Sequence, residues 1–317
     1  VHVGAQIQEA GSCVMPARLF FDIVRKLPDE MVSITVDHKQ QVSIRAGAAF
    51  FQITAMDSDD YPELPDVNGK SGVTMPQSAL KAMISGTIFS VSENQARPIQ
   101  TGCLMEVTED SVTMVAVDSF RLARRTWHTE NAANHTLKFV VPAAGLKEIE
   151  RILEDSDEPV TFTLGDKHIL FSIGDALLVS RVLEGEFIDW RRVVPTNCGT
   201  VLTANVAELT SSIERVSLII SEKVKSPVRC VFGDNMADFR TANTIGSAHD
   251  TCSIAGNGGE LEIGFNSRYL LDALRVIPSE EVTLELQNGL SPIVFTPCDK
   301  KYDFAYMVLP VRLRSNS

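Results

Sequence analysis

Three segments of the chain carry hydrophobic residues at the spacing of an amphipathic helix. They cover residues 16–27, 142–153 and 266–277, and they align with one another column by column. Apolar residues recur three, four and seven positions apart, which places them on one face of a helix. The opposite face repeats an acid and an arginine in every copy: Asp22 and Arg25, Glu148 and Arg151, and Asp272 and Arg275.

The sequence after each helical segment repeats as well. Hydrophobic and polar residues alternate over 32–36, 160–164 and 282–286, which predicts half-buried strands. Turn residues and a second strand follow, and each copy closes on a related tail at residues 61–65, 187–195 and 304–310.

A second helix is predicted in each of two further segments, residues 75–91 and 203–219, with strands around 107–116 and 237–244. One full unit is therefore strand, helix, strands, helix, strands, over about 125 residues. A repeat of this length indicates tandem domains and not a solenoid.

The sequence predicts an α+β protein of three similar domains in a row. Residues 1–67 form the C-terminal half of the first domain, 73–195 the second and 200–317 the third. Polar linkers lie at 66–72 and 196–200. We expect the first domain to lack its N-terminal part.

The composition is that of a soluble globular protein, with 44% hydrophobic and 22% charged residues. No apolar run reaches the roughly 18 residues of a membrane helix, and we expect that Val1 does not begin a signal peptide. The six cysteines form no CxxC pair, so we expect reduced thiols, no metal site and a cytoplasmic location. The net charge of −12 argues against ordinary DNA binding, which depends on neutralising phosphates.

The sequence motifs that could indicate catalysis are incomplete. Gly69-Lys70-Ser71 lacks the earlier glycine of a phosphate loop, and no cysteine, serine or lysine stands in a recognisable nucleophile setting. The repeated arginines have two interpretations. They are either solvated faces with local ion pairs or one surface that the repeated domains present to a shared partner.

Residues 117–123 read V-D-S-F-R-L-A, and residues 189–195 read D-W-R-R-V-V-P. Both resemble segments of one protein family, T-D-x-x-R-L-A and D-Y-R-R-V-L-P of the bacterial DNA sliding clamps that serve as the beta subunit of DNA polymerase III. Residues 264–269 resemble F-N-x-x-Y, and 309–313 resemble the M-P-M-R-L ending. Residues 15–18 and 97–99 add to the match, which runs in order along the whole chain.

The resemblance implies a non-catalytic processivity subunit without a cofactor, whose head-to-tail homodimer encircles double-stranded DNA. Relative to the family, about 50 residues of the first domain are absent, so ring closure by this chain is left open. Helices line the hole, and a ring that holds DNA topologically needs little basic surface, which reconciles the acidic net charge with DNA binding. The three helical segments carry net charges of +2, 0 and +1 against −12 overall. The DNA-facing residues are expected to be Arg18, Arg25, Asn94, Arg97, Arg151, Arg268 and Arg275.

The resemblance also implies a hydrophobic pocket between the middle and last domains that takes Gln-Leu-x-Leu-Phe-like peptides. The partners would be the polymerase alpha subunit, the clamp loader, other polymerases and mismatch-repair proteins. The lining carried over by alignment is Ser119, Phe120, Arg121, Leu122, Ile188, Arg192, Val193, Val224, Asn266, Tyr269, Ser291, Ile293, Met307, Val308, Leu309, Pro310, Val311, Arg312 and Leu313. The chain departs from the family at four positions. Phe120 stands where His is common, Ile188 where Pro is common, Val224 where a larger aromatic residue can occur, and Gln100 where Leu is common.

The subunit contact implied by the resemblance pairs the edge near Phe51 and Ile53 with the helix near Leu218 and Ile219. Two other functions remain possible from the sequence. An enzyme with an interdomain active site would show paired carboxylates or a metal. A repeat-built adhesin or scaffold would need an export signal or exposed sheet edges.

Overall fold

The computed structural model describes residues 3–28, 31–61, 67, 72–129, 136–220 and 226–313. The chain divides into two compact units, Val1–Asp66 and Val67–Ser317. Parts of the predicted tail at 61–65 and of the linker at 66–72, including Gly69-Lys70-Ser71, lie outside the described residues.

The first unit packs one helix on a small sheet. Helix α1 covers Ala17–Val24, and strands β1, β2 and β3 cover Ser33–Val36, Gln41–Ala46 and Ala49–Thr54. The strands are antiparallel in the order β1-β2-β3. Its core contains Ile23 from the helix and Val42 and Ile44 from β2.

In the second unit the elements of the predicted middle domain come first. They are β4 (Gly72–Pro76), α2 (Gln77–Ser85), β5 (Gly102–Val107), β6 (Ser111–Val117), β7 (Arg121–His128), β8 (Leu137–Pro142), α3 (Ala143–Ile152), β9 (Pro159–Leu164), β10 (His168–Ile173), β11 (Ala176–Arg181) and the one-turn helix α4 (Trp190–Val193).

The elements of the predicted last domain follow. They are β12 (Thr200–Asn205), α5 (Val206–Ser217), β13 (Val228–Ala242), β14 (Ser247–Phe265), α6 (Ser267–Leu274), β15 (Glu281–Leu286), β16 (Ile293–Pro297) and β17 (Phe304–Val308).

The three repeated amphipathic segments form helices α1, α3 and α6, so their prediction is confirmed. The prediction of continuous helix over 75–91 and 203–219 was wrong at the ends. Met75 and Pro76 belong to β4, α2 ends at Ser85, and residues 203–205 belong to β12. The start of α5 is set by Asn205, whose side chain accepts a hydrogen bond of 3.0 Å from the N–H of Glu208.

One antiparallel sheet runs through both predicted domains of the second unit. Its strand order is β13-β14-β12-β15-β16-β17-β7-β6-β5-β8. The pairing of β17 with β7 joins the two domains, with Val308 opposite Arg121 and Phe304 opposite Arg125. The remaining sheet has the order β11-β10-β9-β4. The boundaries at 73–195 and 200–317 stay a prediction.

The two faces of the long sheet bury different cores, because side chains alternate along each strand. Around β7 and β17, one face packs Ala123, Tyr306 and Val308 with residues of α5 and α6. The other face packs Leu122 and Met307 beneath the segment that links the domains, which contributes Phe187, Ile188, Trp190 and Val194. This segment, residues 187–194, is the closing tail of the middle domain and leads into the polar stretch at 196–200. We call residues 187–194 the interdomain linker from here on, and they form a structural layer over the sheet.

In the described part of the chain, no helix is long and apolar enough to cross a membrane. All six cysteines are free thiols. Among the described residues there is also no cluster of three or more His, Cys, Asp or Glu side chains that could hold a metal ion.

Candidate functional site

The pairing of β17 with β7 forms the junction of the middle and last domains. The C-terminal tail, residues 309–313, is held against this junction by backbone hydrogen bonds. The N–H of Leu309 donates to the carbonyl of Phe120 at 2.8 Å, and the N–H of Val311 donates to the carbonyl of Gly264 at 2.7 Å. A Cβ atom on Gly264 would lie 2.6 Å from Leu313 Cδ2 and 2.7 Å from the Val311 carbonyl oxygen. Glycine is therefore required there for the tail to lie this close to the end of β14.

Arg121 is the electrostatic centre of the junction. Its Nε donates to Asp118 Oδ2 at 3.0 Å, and its Nη1 donates to Asp272 Oδ2 on α6 at 2.6 Å. Its Cζ atom lies 4.5 Å from the centroid of the Tyr269 ring and 5.7 Å from that of Phe89. The side chain is only 10% exposed, so one guanidinium ties the middle domain to the last.

Phe120, next to this arginine, stacks on Tyr269 with ring centroids 5.8 Å apart and planes 20° apart. Phe120 remains 54% exposed. Leu309 and Val311 of the tail and Val193 of α4 are also exposed. Exposed apolar side chains on a rigid, hydrogen-bonded frame are typical of a surface that binds a partner.

The predicted pocket residues fall into distinct sets in the structure. Four are almost fully buried: Leu122, Ile293, Met307 and Val308. Leu122 and Met307 lie on the face beneath the linker, whereas Ile293 and Val308 lie on the opposite face with α5 and α6. Ile293 and Val308 therefore contribute no open surface beside the linker.

Apart from Arg121, which is nearly buried, the other described pocket residues are accessible to different extents. Exposed ones are Ser119, Phe120, Arg192, Val193, Leu309, Val311 and Arg312, and partly buried ones are Ile188, Asn266, Tyr269, Ser291, Pro310 and Leu313. Asn266 caps α6 by accepting the N–H of Arg268 at 3.0 Å. Val224 and the residues after Leu313 lie outside the described residues. The peptide-binding role of the set stays a prediction.

The linker is held by a nearly buried carboxylate that the sequence analysis did not single out. Glu106 on β5 accepts from Arg191 Nη2 at 2.9 Å and from Trp190 Nε1 at 3.3 Å. Burial opposes ionisation of Glu106, but the hydrogen bonds from Arg191 and Trp190 together with the positive charges of Arg191 and Lys138 outweigh it and lower the pKa of this carboxyl below its usual value. No local pattern indicated this contact, because Trp190 and Arg191 lie 84 and 85 residues after Glu106 in the chain.

The residues predicted to face DNA are all exposed: Arg18, Arg25, Asn94, Arg97, Arg151, Arg268 and Arg275. Arg151 pairs locally with Glu148 at 2.9 Å, and Arg275 pairs with Glu214 of α5 at 2.8 Å. One of the two interpretations placed Asp272 on a solvated face with Arg275; in the structure the Asp272 carboxylate accepts a hydrogen bond from Arg121 instead. The DNA contacts stay a prediction.

The residues predicted at the subunit contact differ in exposure. Leu218 is 83% exposed at the end of α5, and Ile219 is partly buried. Phe51 and Ile53 are partly buried and pack against the core of the first unit. They lie opposite Ile44 and Val42 on β2. A contact with another subunit near β3 would therefore use its backbone edge or its exposed residues.

Comparison with known proteins gives matches along the chain. Models of the DNA polymerase III beta subunit match residues 1–65 (N-terminal domain), 74–189 (central domain) and 191–312 (C-terminal domain). Beta sliding clamps of Staphylococcus epidermidis and Staphylococcus aureus are 31% identical over 309 and 308 residues, covering 97% and 96% of this chain and 81% of theirs.

Solved structures of proteins with the same description also match this chain. The DNA polymerase sliding clamp from Bacillus subtilis matches with a TM-score of 0.91 and 31% identity, over 98% of this chain and 82% of that one. The DNA polymerase III subunit beta from Pseudomonas aeruginosa matches with a TM-score of 0.90 and 29% identity, over 98% and 85%.

Fold, repeats and junction together define a clamp-fold protein with three α+β domains in tandem. Within that class, the chain belongs to the beta sliding clamp family, the beta subunit of bacterial DNA polymerase III. It is a non-catalytic processivity factor, so the alternatives of an interdomain enzyme and of an adhesin or scaffold are set aside.

Proposed function

We propose that two copies of this chain associate head to tail around duplex DNA and tether replication and repair proteins through the junction of the middle and last domains. The observation that carries the proposal is the set of exposed apolar side chains, Phe120, Val193, Leu309 and Val311, on a frame fixed by Arg121. We keep the domain boundaries at 1–67, 73–195 and 200–317.

The proposed ligand is an extended Gln-Leu-x-Leu-Phe-like peptide from the polymerase alpha subunit, the clamp loader, other polymerases or mismatch-repair proteins. Leu309, with Ile188 and Val193 of the linker, would take the aliphatic side chains. Phe120 and Tyr269 form a stacked pair suited to the terminal aromatic ring. The exposed backbone and the Asn266 side chain supply polar contacts that orient the peptide.

The charge distribution supports DNA binding by encirclement. Two of the seven proposed DNA-facing residues, Arg151 and Arg275, already pair with Glu148 and Glu214. Each ion pair reduces the free energy that the arginine would gain by contacting a phosphate, so binding to the DNA backbone would be weak. Weak phosphate contacts allow a closed ring to slide without dissociating.

Retention on circular DNA tests this function. We expect protein loaded on a nicked circular plasmid to stay bound through gel filtration at high salt, and to be lost when the plasmid is linearised. Linear DNA with both ends blocked by streptavidin is the control, and it should retain the protein. Equal retention on linear DNA with free ends would contradict encirclement, because only a topological link depends on the ends.

The subunit contact has its own test. We expect Leu218→Ala combined with Ile219→Ala to elute as a monomer under conditions in which the unchanged protein elutes as a dimer, because Leu218 is 83% exposed and its apolar surface is free for a second copy. Light scattering after gel filtration measures the mass. Leu177→Ala, at a leucine that is 60% exposed on β11, is the control and should leave the mass unchanged. A double variant that still elutes as a dimer would place the contact elsewhere.

A further inference from the structure

Glu106 is a carboxylate in a nearly buried position on the central sheet. It is 7% exposed on β5, between the buried residues Met105 and Val107. A carboxylate in such a place is tolerated only when charged and hydrogen-bonding partners replace the water it has lost. The segments that supply those partners therefore indicate the structural role of the Glu106 charge.

Two of its partners come from the interdomain linker. Trp190 and Arg191 of α4 both donate to Glu106 Oε2, and Lys138 of β8 lies 3.4 Å from Oε1. Helix α4 has four residues and no side-chain cap, so it is too short to be stable without contacts to the rest of the protein. Glu106 supplies the polar part of those contacts, and Phe187, Ile188 and Val194 supply the apolar part.

A second anchor connects the same linker to the last domain. The Cζ atom of Arg124 on β7 lies 5.7 Å from the centroid of the Trp190 ring, and that of Arg191 lies 4.2 Å away. Arg124 Nη2 also donates to Asp303 Oδ1 at 2.6 Å. Asp303 directly precedes β17, the strand that leads into Leu309 and the tail.

These contacts form one network, which we name the linker clasp: Glu106, Trp190, Arg191, Arg124 and Asp303. It connects the linker, which carries Ile188 and Val193, with the strand that leads to Leu309. Glu106 lies beneath the linker and Asp303 lies directly before β17, and neither is among the residues proposed to line the peptide site.

We propose that Glu106 is a positioning residue for the peptide site, holding α4 on the sheet so that Ile188 and Val193 stand in place before a peptide arrives. This inference rests on the proposed peptide-binding function. A linker without this anchor would have to be ordered by each peptide as it binds, and the entropy lost in that ordering weakens affinity. Glu106 thus acts on binding without touching the ligand.

The test compares Glu106→Gln and Trp190→Phe with the unchanged protein. The first removes the charge and keeps the shape, and the second keeps an aromatic ring and removes the N–H donor. The probe is a synthetic Gln-Leu-x-Leu-Phe peptide, with affinity measured by calorimetry. We expect the Kd to rise about tenfold in each variant, with unchanged retention on nicked circular DNA. Hydrogen exchange of the amides at 189–194 should become faster, while exchange in β5 stays the same.

The matched control is Asp238→Asn. The side chain of Asp238 is 14% exposed and pairs with Arg240 and His249 in the β13–β14 hairpin, so it is a similarly protected ion pair away from the linker. We expect its Kd for the peptide to match that of the unchanged protein. An equal loss of affinity in this control would reveal general destabilisation and overturn the positioning role.

The other outcomes are also decisive. Faster exchange in the linker with an unchanged Kd would show that linker order does not matter for the ligand, and unchanged exchange would show that Glu106 does not hold the linker. Either result overturns the inference. An unchanged protein that binds no peptide at all overturns the proposed peptide site itself, whereas normal binding in Glu106→Gln overturns only the role of Glu106.

Discussion

Replacing Arg121 by methionine is expected to lower the free energy of unfolding by about 3–5 kcal/mol. Methionine fills much of the same volume, but it leaves the carboxylates of Asp118 and Asp272 without their shared positive charge. These side chains are 14% and 23% exposed, so water replaces that charge only in part. The stacking of Arg121 on Tyr269 is lost as well. Denaturation in urea, followed by circular dichroism, measures the change.

Two further variants test whether the loss of stability is specific to Arg121. Arg229→Met removes an ion pair with Glu262 in which the side chains are 34% and 43% exposed, and it should cost less than about 1 kcal/mol. Arg121→Lys keeps the charge, but one ammonium group lacks the planar fork that reaches two carboxylates, so an intermediate loss is expected. A loss below about 1 kcal/mol for Arg121→Met would show that the junction does not depend on this arginine.

Combining Phe120→Ala with Leu309→Ala is expected to weaken binding of a Gln-Leu-x-Leu-Phe peptide from the micromolar range by about 100-fold or more. Phe120 is 54% exposed and Leu309 is 36% exposed, so both offer surface to a ligand and add little to the core. Calorimetry measures the affinity. The melting temperature should change little, which separates loss of contact from loss of fold.

The structure favours this pair over Met307→Ala with Leu309→Ala, the substitution that the sequence resemblance alone suggests. Met307 is 3% exposed and packs with Leu122 beneath the linker, so its truncation would leave a cavity that costs about 2–5 kcal/mol. A loss of affinity in that variant would not distinguish binding from stability.

The control for the peptide test is Phe21→Ala with Leu177→Ala, which removes side chains of the same types that are 58% and 60% exposed elsewhere. Its affinity should equal that of the unchanged protein. Unaltered peptide binding in Phe120→Ala with Leu309→Ala would refute the assignment of the site to this junction.

Much of the fold could be read from local pattern. The helices at 17–24, 143–152 and 267–274 were predicted because apolar periodicity is a property of neighbouring residues, and the strands after them for the same reason. The helix over 75–91 was misplaced at its ends, because Met75 and Pro76 pair with Val160 and Pro159 of β9, and that pairing is non-local. Tertiary pairing overrode local propensity there.

The candidate site was predicted only as a set of aligned positions. That set included Arg121 and Tyr269, which the structure brings together, and also Ile293 and Val308, which the sheet buries on its other face. Alignment reports which columns correspond and not which face of a strand is covered. The acid at Asp272 appeared as one of three repeated surface acids, and only the position of β7 beside α6 made it a partner of Arg121.

The repeat, the α+β class, the helices and the family were predictable from the sequence, since they depend on periodicity and on short motifs that are contiguous in the chain. The pairing of β17 with β7, the hydrogen bond from Arg121 to Asp272 across 151 residues and the one from Trp190 to Glu106 across 84 became visible only in the folded chain. A buried charge is stable only beside a partner supplied by another segment, and the choice of that segment depends on how the whole chain folds.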